Sequence, residues 1–410
     1  MMNKEIKTDA EIMENPFCTP YNTPFNAIPY DRITLEHFIP AVKEGIRREQ
    51  ESIDNICNNP EAATFENTIE AFERAGEMLG DVMCAFEALI NSRSYDKIVA
   101  VSEEIHKLYT VHRNNITLNK ALFARIKAVK EQNNCNLRKD QRRLLEETYR
   151  MFERSGANLD DAQGEEYRSL SEKLSMLSLK FQENLIKDTD EYTLHITNEA
   201  DVEGMPADLL EAAAATAKEQ EKEGWIFTLH RPSYLPFITF CRNRELRRQM
   251  YMAYSTLCAK GNEYDNREIV KEIVNARLSF ANLLGYDTYS DYILAERMAK
   301  NSDAVFALLG KLTWAYLPAA RKEMDEIKAI AYKSEGDGFE FMPWDFAFYS
   351  ERLKEQKFDL SDEMLRPYFN LEQAIHGAFY LATRLYGITF KLCHNVPTFH
   401  PDVKVWEVYD

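Results

Sequence analysis

The length, composition and charge of the chain exclude several classes of protein. It has 410 residues, of which 50 are Lys or Arg and 67 are Asp or Glu, so its formal net charge is −17. Nucleic acid is not an expected partner, because Lys and Arg supply most of the affinity for phosphate backbones. A hydrophobic content of 45% provides material for a core and excludes wholesale disorder. The 14 glycines are about half the number that an average usage of ~7% would give, which indicates few tight turns and long helices.

The first half of the sequence predicts an arm followed by helices. Residues 1–32 contain four prolines among polar residues, a composition typical of an extended arm. Thr34 and Thr64 each precede an apolar-periodic run in the manner of helix N-caps. Helices are predicted at 36–57, 65–91, 95–115, 119–132, 138–155 and 162–188. In the last of these, apolar residues recur every three or four positions, which is the pattern of a core-facing stripe.

The second half of the sequence predicts more helices and a few short strands. Alternating residues at 192–196 predict a strand that pairs with 225–229. Further helices are predicted at 206–222, 243–259, 266–284, 302–333, 344–357 and 371–386. The predicted fold class is therefore mainly α, with helical lobes and a few short β-strands. We divide the chain into an extended arm (1–32) and two helical regions (33–222 and 223–410).

The last part of the sequence predicts two strands. Residues 387–392 and 403–409 are rich in β-branched and aromatic side chains, and the loop between them contains Pro397 and Pro401. The second predicted strand ends at Asp410 and would leave an exposed edge, which natural domains usually cover. We therefore expect the fold to continue beyond this strand, or the edge to promote self-association.

The cysteines and the apolar segments indicate a cytoplasmic protein. The seven cysteines contain no C-x-x-C pair and are odd in number, so neither a disulfide framework nor a cysteine zinc site is expected. They are Cys18, Cys57, Cys84, Cys135, Cys241, Cys258 and Cys393. The first thirty residues lack the apolar run of a signal peptide, and no segment approaches the ~18 consecutive apolar residues of a membrane span. We expect a soluble protein that is not bound to a membrane.

Several catalytic motifs are absent from the sequence. It contains no G-x-S-x-G elbow, no P-loop, no dinucleotide glycine fingerprint and no H-E-x-x-H. His106 and His112 are six residues apart on one predicted helix and should therefore point to different sides. His394 and His400 flank a loop, but no third ligand is fixed beside them. The residues give no basis for a metal site.

An aromatic segment at 343–349 allows two interpretations. In the first, Trp344 and Phe348 pack one face of a helix start, while Asp345 complements the positive helix N-terminus. In the second, this segment faces a substrate cavity. The candidate channel-lining residues are then Trp344, Asp345 and Tyr349.

Motifs around this segment resemble those of a known family. The run M-P-W-D-F-A-F-Y at 342–349 is followed by similar motifs at 357–360, 365–369, 385–388 and 400–408, and others precede it in matching order. Those earlier motifs are at 15–17, 155–159, 284–286 and 295–300. Together they resemble the thimet oligopeptidase family of zinc metallopeptidases, most closely its bacterial peptidyl-dipeptidase (dipeptidyl carboxypeptidase) branch.

The resemblance implies a two-lobed, mostly helical fold with a deep channel in which short peptides lose C-terminal dipeptides. It also implies one zinc ion, held by the two histidines of H-E-x-x-H and a glutamate on a following helix, with the motif glutamate activating water. No position of 1–410 matches these ligands, the base or the C-terminal tyrosines of the family. Residues 223–410 would be the helical start of the metallopeptidase region, and we expect no catalytic, cofactor-binding or zinc-binding residue in the chain.

Two hypotheses about function follow. In the first, the chain is the N-terminal portion of a zinc peptidyl-dipeptidase; it forms channel wall, is inactive alone, and binds short peptides weakly or not at all. In the second, it is a non-catalytic helical scaffold that binds peptides or a partner protein. Self-association through the exposed C-terminal strand is the expected form of that scaffold.

Overall fold

The computed structural model describes residues 14–92, 96–132, 136–336, 338–359 and 362–410. The first thirteen residues of the predicted arm and Cys135 lie outside the described residues. Where the structure describes the chain, none of its helices is both long enough and apolar enough to span a membrane.

Helices dominate the first half of the chain. Short 3-10 turns at Pro16–Cys18, Pro24–Asn26 and Leu35–His37 precede them. The helices are α1 (Phe38–Cys57), α2 (Ala71–Ala75), α3 (Glu77–Ser92), α4 (Asp96–Thr117), α5 (Lys120–Glu131), α6 (Lys139–Arg154) and α7 (Asp161–Glu191). They follow the predicted order, since the apolar periodicity is strong throughout this half.

The helix predicted at 65–91 is divided in the structure. It begins as a π-helical turn at Phe65–Glu70, continues as α2 and ends at Gly76, after which α3 begins. Its start is capped as predicted: the Thr64 hydroxyl accepts a bond from the Asn67 amide (3.2 Å), and the Asn67 side chain accepts one from the Thr64 amide (2.8 Å). The prediction of one continuous helix is therefore wrong at Gly76, a residue that favours helix ends.

The second half also follows the predicted order. The strands are β1 (Thr193–Ile196), β2 (Trp225–Thr228), β3 (Thr389–Cys393) and β4 (Val405–Tyr409). The helices are α8 (Ala207–Glu219), α9 (Arg231–Phe240), α10 (Arg244–Ser255), α11 (Arg267–Leu283), α12 (Tyr289–Leu294), α13 (Ser302–Glu335), α14 (Phe346–Phe358), α15 (Asp362–Leu365) and α16 (Leu371–Tyr386). The mainly helical fold class is confirmed.

Helix α9 was not predicted, because Pro232 and Pro236 lie within it. Pro232 is in the first turn, where backbone N–H groups have no partner inside the helix. Pro236 removes one hydrogen bond further along. Tyr234 and Phe237 are buried in the core on either side of Pro236, so apolar packing outweighs the loss of that bond.

The chain forms two compact units. The first comprises Met1–Leu179, Ile273–Tyr289 and Phe379–Asp410, and the second comprises Lys180–Glu272 and Ser290–Ala378. The core of the first unit contains Phe38, Phe86 and Phe152, together with Phe17 and Tyr21 from the described part of the arm. The core of the second unit packs α8, α9 and α10 on β2, and it has a smaller cluster between α13 and α14.

The strands form two small antiparallel sheets. In one, β1 pairs with β2 so that Thr193 lies opposite Thr228; in the other, β3 pairs with β4 so that Thr389 lies opposite Tyr409. The first pairing is as predicted; for the second, the sequence predicted the two strands but not that they pair with each other. Phe379 stacks on Phe390 at 4.1 Å between ring centres and covers one face of the β3–β4 sheet.

Candidate functional site

The segment at 343–349 forms the start of α14 in the second unit. A 3-10 turn at Pro343–Asp345 leads directly into the helix. The Asp345 carboxylate accepts a hydrogen bond of 3.0 Å from the Met342 amide. A carboxylate in this position complements the partial positive charge of a helix N-terminus.

Two arginines of α10 bind the Asp345 carboxylate. Arg244 donates from Nη2 to Oδ2 at 2.7 Å and from Nε to Oδ1 at 3.0 Å, and Arg247 donates from Nη2 to Oδ1 at 3.0 Å. The i,i+3 spacing places both arginines on one face of the helix. Asp345 is 0% exposed and Arg247 is 1% exposed. We call Arg244, Arg247 and Asp345 the arginine–aspartate cluster.

Opposing effects determine the pKa of Asp345. Burial raises it, whereas hydrogen bonds from Arg244, the Met342 amide and Arg247 lower it, and the net pKa lies below the usual range. The carboxylate is therefore ionised at neutral pH. Its oxygens accept bonds from three partners, so the carboxylate acts as a structural anchor rather than as a free acid or base.

The other two candidates from the sequence lie beside this cluster. Trp344 is half-buried and makes an edge contact with Tyr251, with ring centres 6.2 Å apart. Tyr349 is buried, and its hydroxyl donates 2.8 Å to Glu335 on α13. Burial and that hydrogen bond raise the pKa of Tyr349. The structure brings all three residues together; their lining of a channel stays a prediction.

Sequence analysis missed the arginines around this segment. The ring of Phe348 lies 3.9 Å from the guanidinium carbon of Arg247 and 3.3 Å from that of Arg352. The remaining donors of Arg247 reach the carbonyls of Cys241 (2.9 Å), Arg242 (3.1 Å) and Trp344 (3.3 Å). The i,i+3 spacing of Arg244 and Arg247 in the sequence indicates that they share one helix face. The sequence does not reveal that their acid partner is Asp345, about one hundred residues later.

A cavity of about 1010 Å³ lies in the second unit. Its walls come mainly from α8, β2 and α9, with Glu355, Leu365 and Phe369 completing them. Most of the lining is apolar. The polar lining residues are Asp208, Thr216, Thr228, His230, Ser233 and Glu355. A mostly apolar cavity with a few polar groups is the usual form of a small-ligand site.

The described residues do not fit the zinc site that the resemblance implies. No group of three or more His, Cys, Asp or Glu that could hold a metal occurs in the part of the chain that the structure describes. His106 lies 3.1 Å from Glu87, and His112 lies 2.9 Å from Glu49. The two histidines therefore have separate partners, and we assign no catalytic step to a metal held by these residues.

Comparison with known proteins identifies relatives among peptidases. Residues 237–410 match peptidase family M3. Oligopeptidase A of Escherichia coli is 32% identical over 97% of this chain and 58% of its own length, and dipeptidyl carboxypeptidase of the same organism is also 32% identical over the same shares. Organellar oligopeptidase A of Arabidopsis thaliana is 30% identical over 99% of this chain and 52% of its own length. The chain thus spans between half and three fifths of these relatives. Its similarity to these individual peptidases extends across nearly the whole of this chain, whereas the match to family M3 is confined to residues 237–410.

Proposed function

We propose that the chain supplies the helical wall of a cytoplasmic zinc metallopeptidase that removes C-terminal dipeptides from short peptides. The observation that supports this most strongly is the alignment of 97% of the chain with two bacterial peptidases. In this proposal the zinc ion and the water-activating base belong to sequence outside residues 1–410. The 410-residue protein is then inactive alone, because neither a metal-activated water nor an electrophile for the peptide carbonyl is present.

The choice of the peptidyl-dipeptidase branch rests on the motifs around 342–349. The identity to oligopeptidase A and to dipeptidyl carboxypeptidase is the same, 32%, so overall identity favours neither. The two activities differ in where a peptide is cut. Release of a C-terminal dipeptide from a blocked tripeptide, by a protein that contains the zinc motif, would support the proposed branch, and internal cleavage alone would contradict it.

The three residues that the sequence predicts to line a channel, Trp344, Asp345 and Tyr349, would have different roles in this helical wall. Asp345 and Tyr349 are buried and bonded to Arg247 and Glu335. Trp344 is the one of the three that keeps part of its side chain exposed. We therefore propose that Trp344 contacts a peptide, while Asp345 and Tyr349 hold the segment in place.

The coding sequence after residue 410 tests the proposal. An in-frame H-E-x-x-H, followed by a glutamate on a later predicted helix, is the expected result, because those residues would bind the zinc. A stop codon directly after codon 410 would contradict the proposal. It would favour the second candidate function instead.

The second candidate is a non-catalytic scaffold that binds peptides or a partner protein. It is favoured by the apolar surface of α13, where Trp314 is 84% exposed and Phe306 is 70% exposed. Large exposed apolar patches mark interaction surfaces. Sedimentation velocity and anisotropy of a labelled short peptide test this function. Concentration-dependent dimers or saturable peptide binding would support it, and a monomer without peptide affinity would contradict it.

A further inference from the structure

A cavity of about 480 Å³ in the first unit has both apolar and charged walls. Helices α1, α2, α3, α4 and α6 form it, and its volume is in the usual range of small-ligand sites. We call it the acid–arginine cavity. Much of its apolar lining comes from Phe72, Leu79, Leu144 and Met151. Its charged lining residues are four glutamates and one arginine: Glu49, Glu73, Glu77, Glu147 and Arg113.

The Glu49 carboxylate has one oxygen without a hydrogen-bond donor. Glu49 is 7% exposed, and its Oε2 lies 2.9 Å from Nε2 of His112, which fixes the orientation of the carboxylate. Among the described residues, no donor bonds Oε1. This oxygen lies beside Gly76, which also lines the cavity, since a Cβ added to Gly76 would lie 2.8 Å from it. An N–H group of a ligand in the cavity would satisfy this oxygen.

The other three glutamates of the cavity differ in whether a cation neutralises them. Glu147 is paired with two arginines of its own helix. Glu73 precedes Gly76 by one turn and Glu77 follows it directly, and in the described part of the chain neither forms an ion pair. The side of the cavity around Gly76 is therefore acidic.

Arg113 adds a guanidinium without an acid partner to the same cavity. It is half-buried on α4, and its Nη2 lies 3.8 Å from Sδ of Met151 on α6, which is only a weak acceptor. Within the described ranges, no acid forms an ion pair with it, although four glutamates line the cavity. The opposite charges of this cavity thus remain apart, and a ligand that carries both charges can contact both.

We propose that the acid–arginine cavity binds a small apolar zwitterion, either a free amino acid or a dipeptide with aliphatic side chains. Its ammonium group donates to Oε1 of Glu49, and Glu73 and Glu77 supply further negative charge. Its carboxylate accepts two hydrogen bonds from the planar guanidinium of Arg113. Its aliphatic part lies against the apolar lining. This inference does not depend on the proposed peptidase function, since it needs only residues of the first unit.

Titration calorimetry of the 410-residue protein tests this site at low ionic strength near pH 7, where the α-amino groups of the probes are mostly protonated. The zwitterionic probes are leucine and leucyl-leucine; leucinamide lacks the carboxylate, and N-acetylleucine lacks the ammonium group. We expect saturable binding of at least one zwitterion and at least about tenfold weaker binding of both capped compounds. Tighter binding of leucine would identify a free amino acid as the ligand, and tighter binding of leucyl-leucine a dipeptide. Absence of saturable binding of both zwitterions, or binding of a capped compound within about tenfold of the better zwitterion, would overturn the proposal.

Variants of Arg113 test the carboxylate end of the site. Arg113→Gln should weaken binding of the better zwitterion by about tenfold or more and leave that of leucinamide unchanged, because leucinamide has no carboxylate. Arg113→Lys keeps the charge but loses the two-pronged geometry, so it should also weaken binding, and it serves as the test if Arg113→Gln does not fold. Arg321→Gln removes the same charge from an exposed side chain on α13 of the second unit and should leave binding unchanged. Wild-type affinity in Arg113→Lys, or equal weakening in Arg321→Gln, would overturn the proposal.

Variants of the acids test the ammonium end of the site. Glu49→Gln removes the buried charge and should weaken zwitterion binding by about tenfold or more. Because Glu49 contacts the buried His112, circular dichroism checks that this variant folds. If it does not fold, Glu73→Gln serves as the test, since Glu73 is exposed, and it should weaken binding by about threefold. Wild-type affinity in the folded variant would overturn the proposal.

Discussion

Nη2 of Arg247 lies 3.0 Å from Oδ1 of Asp345, and both side chains are almost completely buried. The pair joins α10 to the start of α14 in the second unit. Water cannot replace the Asp345 carboxylate, because the buried Arg247 guanidinium would then lack a counter-charge. Asp345 is accordingly a residue on which the stability of the second unit depends.

Asp345→Asn should lower the free energy of unfolding by about 3–5 kcal/mol, the range for breaking a buried ion pair. Urea unfolding followed by circular dichroism measures this change. The control is Glu268→Gln on α11, which removes an exposed acid that pairs with Lys271 and should change stability by less than about 0.5 kcal/mol. Equal effects of the two substitutions would show that the buried pair has no special role.

A second prediction concerns the close packing of Glu49 on Gly76 in the first unit. A Cβ added to Gly76 would lie 2.8 Å from Oε1 of Glu49, whose other oxygen bonds His112 at 2.9 Å. Gly76→Ala should therefore destabilise the protein by about 1–3 kcal/mol, since overpacking displaces the buried acid. The change is measured as a shift in the midpoint of urea unfolding.

Gly80→Ala on α3 is the matched control, because a Cβ there meets nothing within 4 Å. It should stabilise the protein by about 0.5–1 kcal/mol, the gain expected when alanine replaces glycine inside a helix. A loss of stability in Gly80→Ala, or a gain in Gly76→Ala, would contradict this account of the contact.

A third prediction concerns the pH dependence of stability. Hydrogen bonds from Arg47 and Arg48 lower the pKa of the buried Glu44 carboxyl to about 2, against an unfolded value of ~4.3. Because the folded pKa is the lower one, the stabilisation is fully present above the unfolded pKa and is lost as the pH falls towards the folded pKa.

The variant Glu44→Gln lacks this titration. The wild type should therefore be more stable than Glu44→Gln near pH 7, and the difference should shrink between about pH 4 and pH 2. Urea unfolding at a series of pH values measures it, with the exposed Glu51→Gln as control. A difference that stays constant down to about pH 2 would contradict the lowered pKa.

Sequence periodicity predicted most helices of this fold, but it could not predict features that depend on distant contacts. The spacing of apolar residues in α7 and the β-branched residues of β3 and β4 determine those elements locally. Helix α9 was missed because its two prolines argue against a helix, while the packing of Tyr234 and Phe237 that compensates for them is tertiary.

The candidate site also depends on contacts between residues that are distant in the sequence, and a local pattern does not predict such contacts. Residues 343–349 stood out in the sequence because aromatic side chains are concentrated there. The partners of Asp345 lie on α10, about one hundred residues earlier, and nothing in the local pattern of Arg244 and Arg247 identifies that acid.

Peptide hydrolysis by the purified 410-residue protein tests the central claim, that its own residues do not carry the zinc chemistry. The protein is incubated with a blocked tripeptide and added zinc, with and without a chelator, and dipeptide release is followed by chromatography. The account predicts no chelator-sensitive release. Chelator-sensitive release of the C-terminal dipeptide by this protein would contradict it.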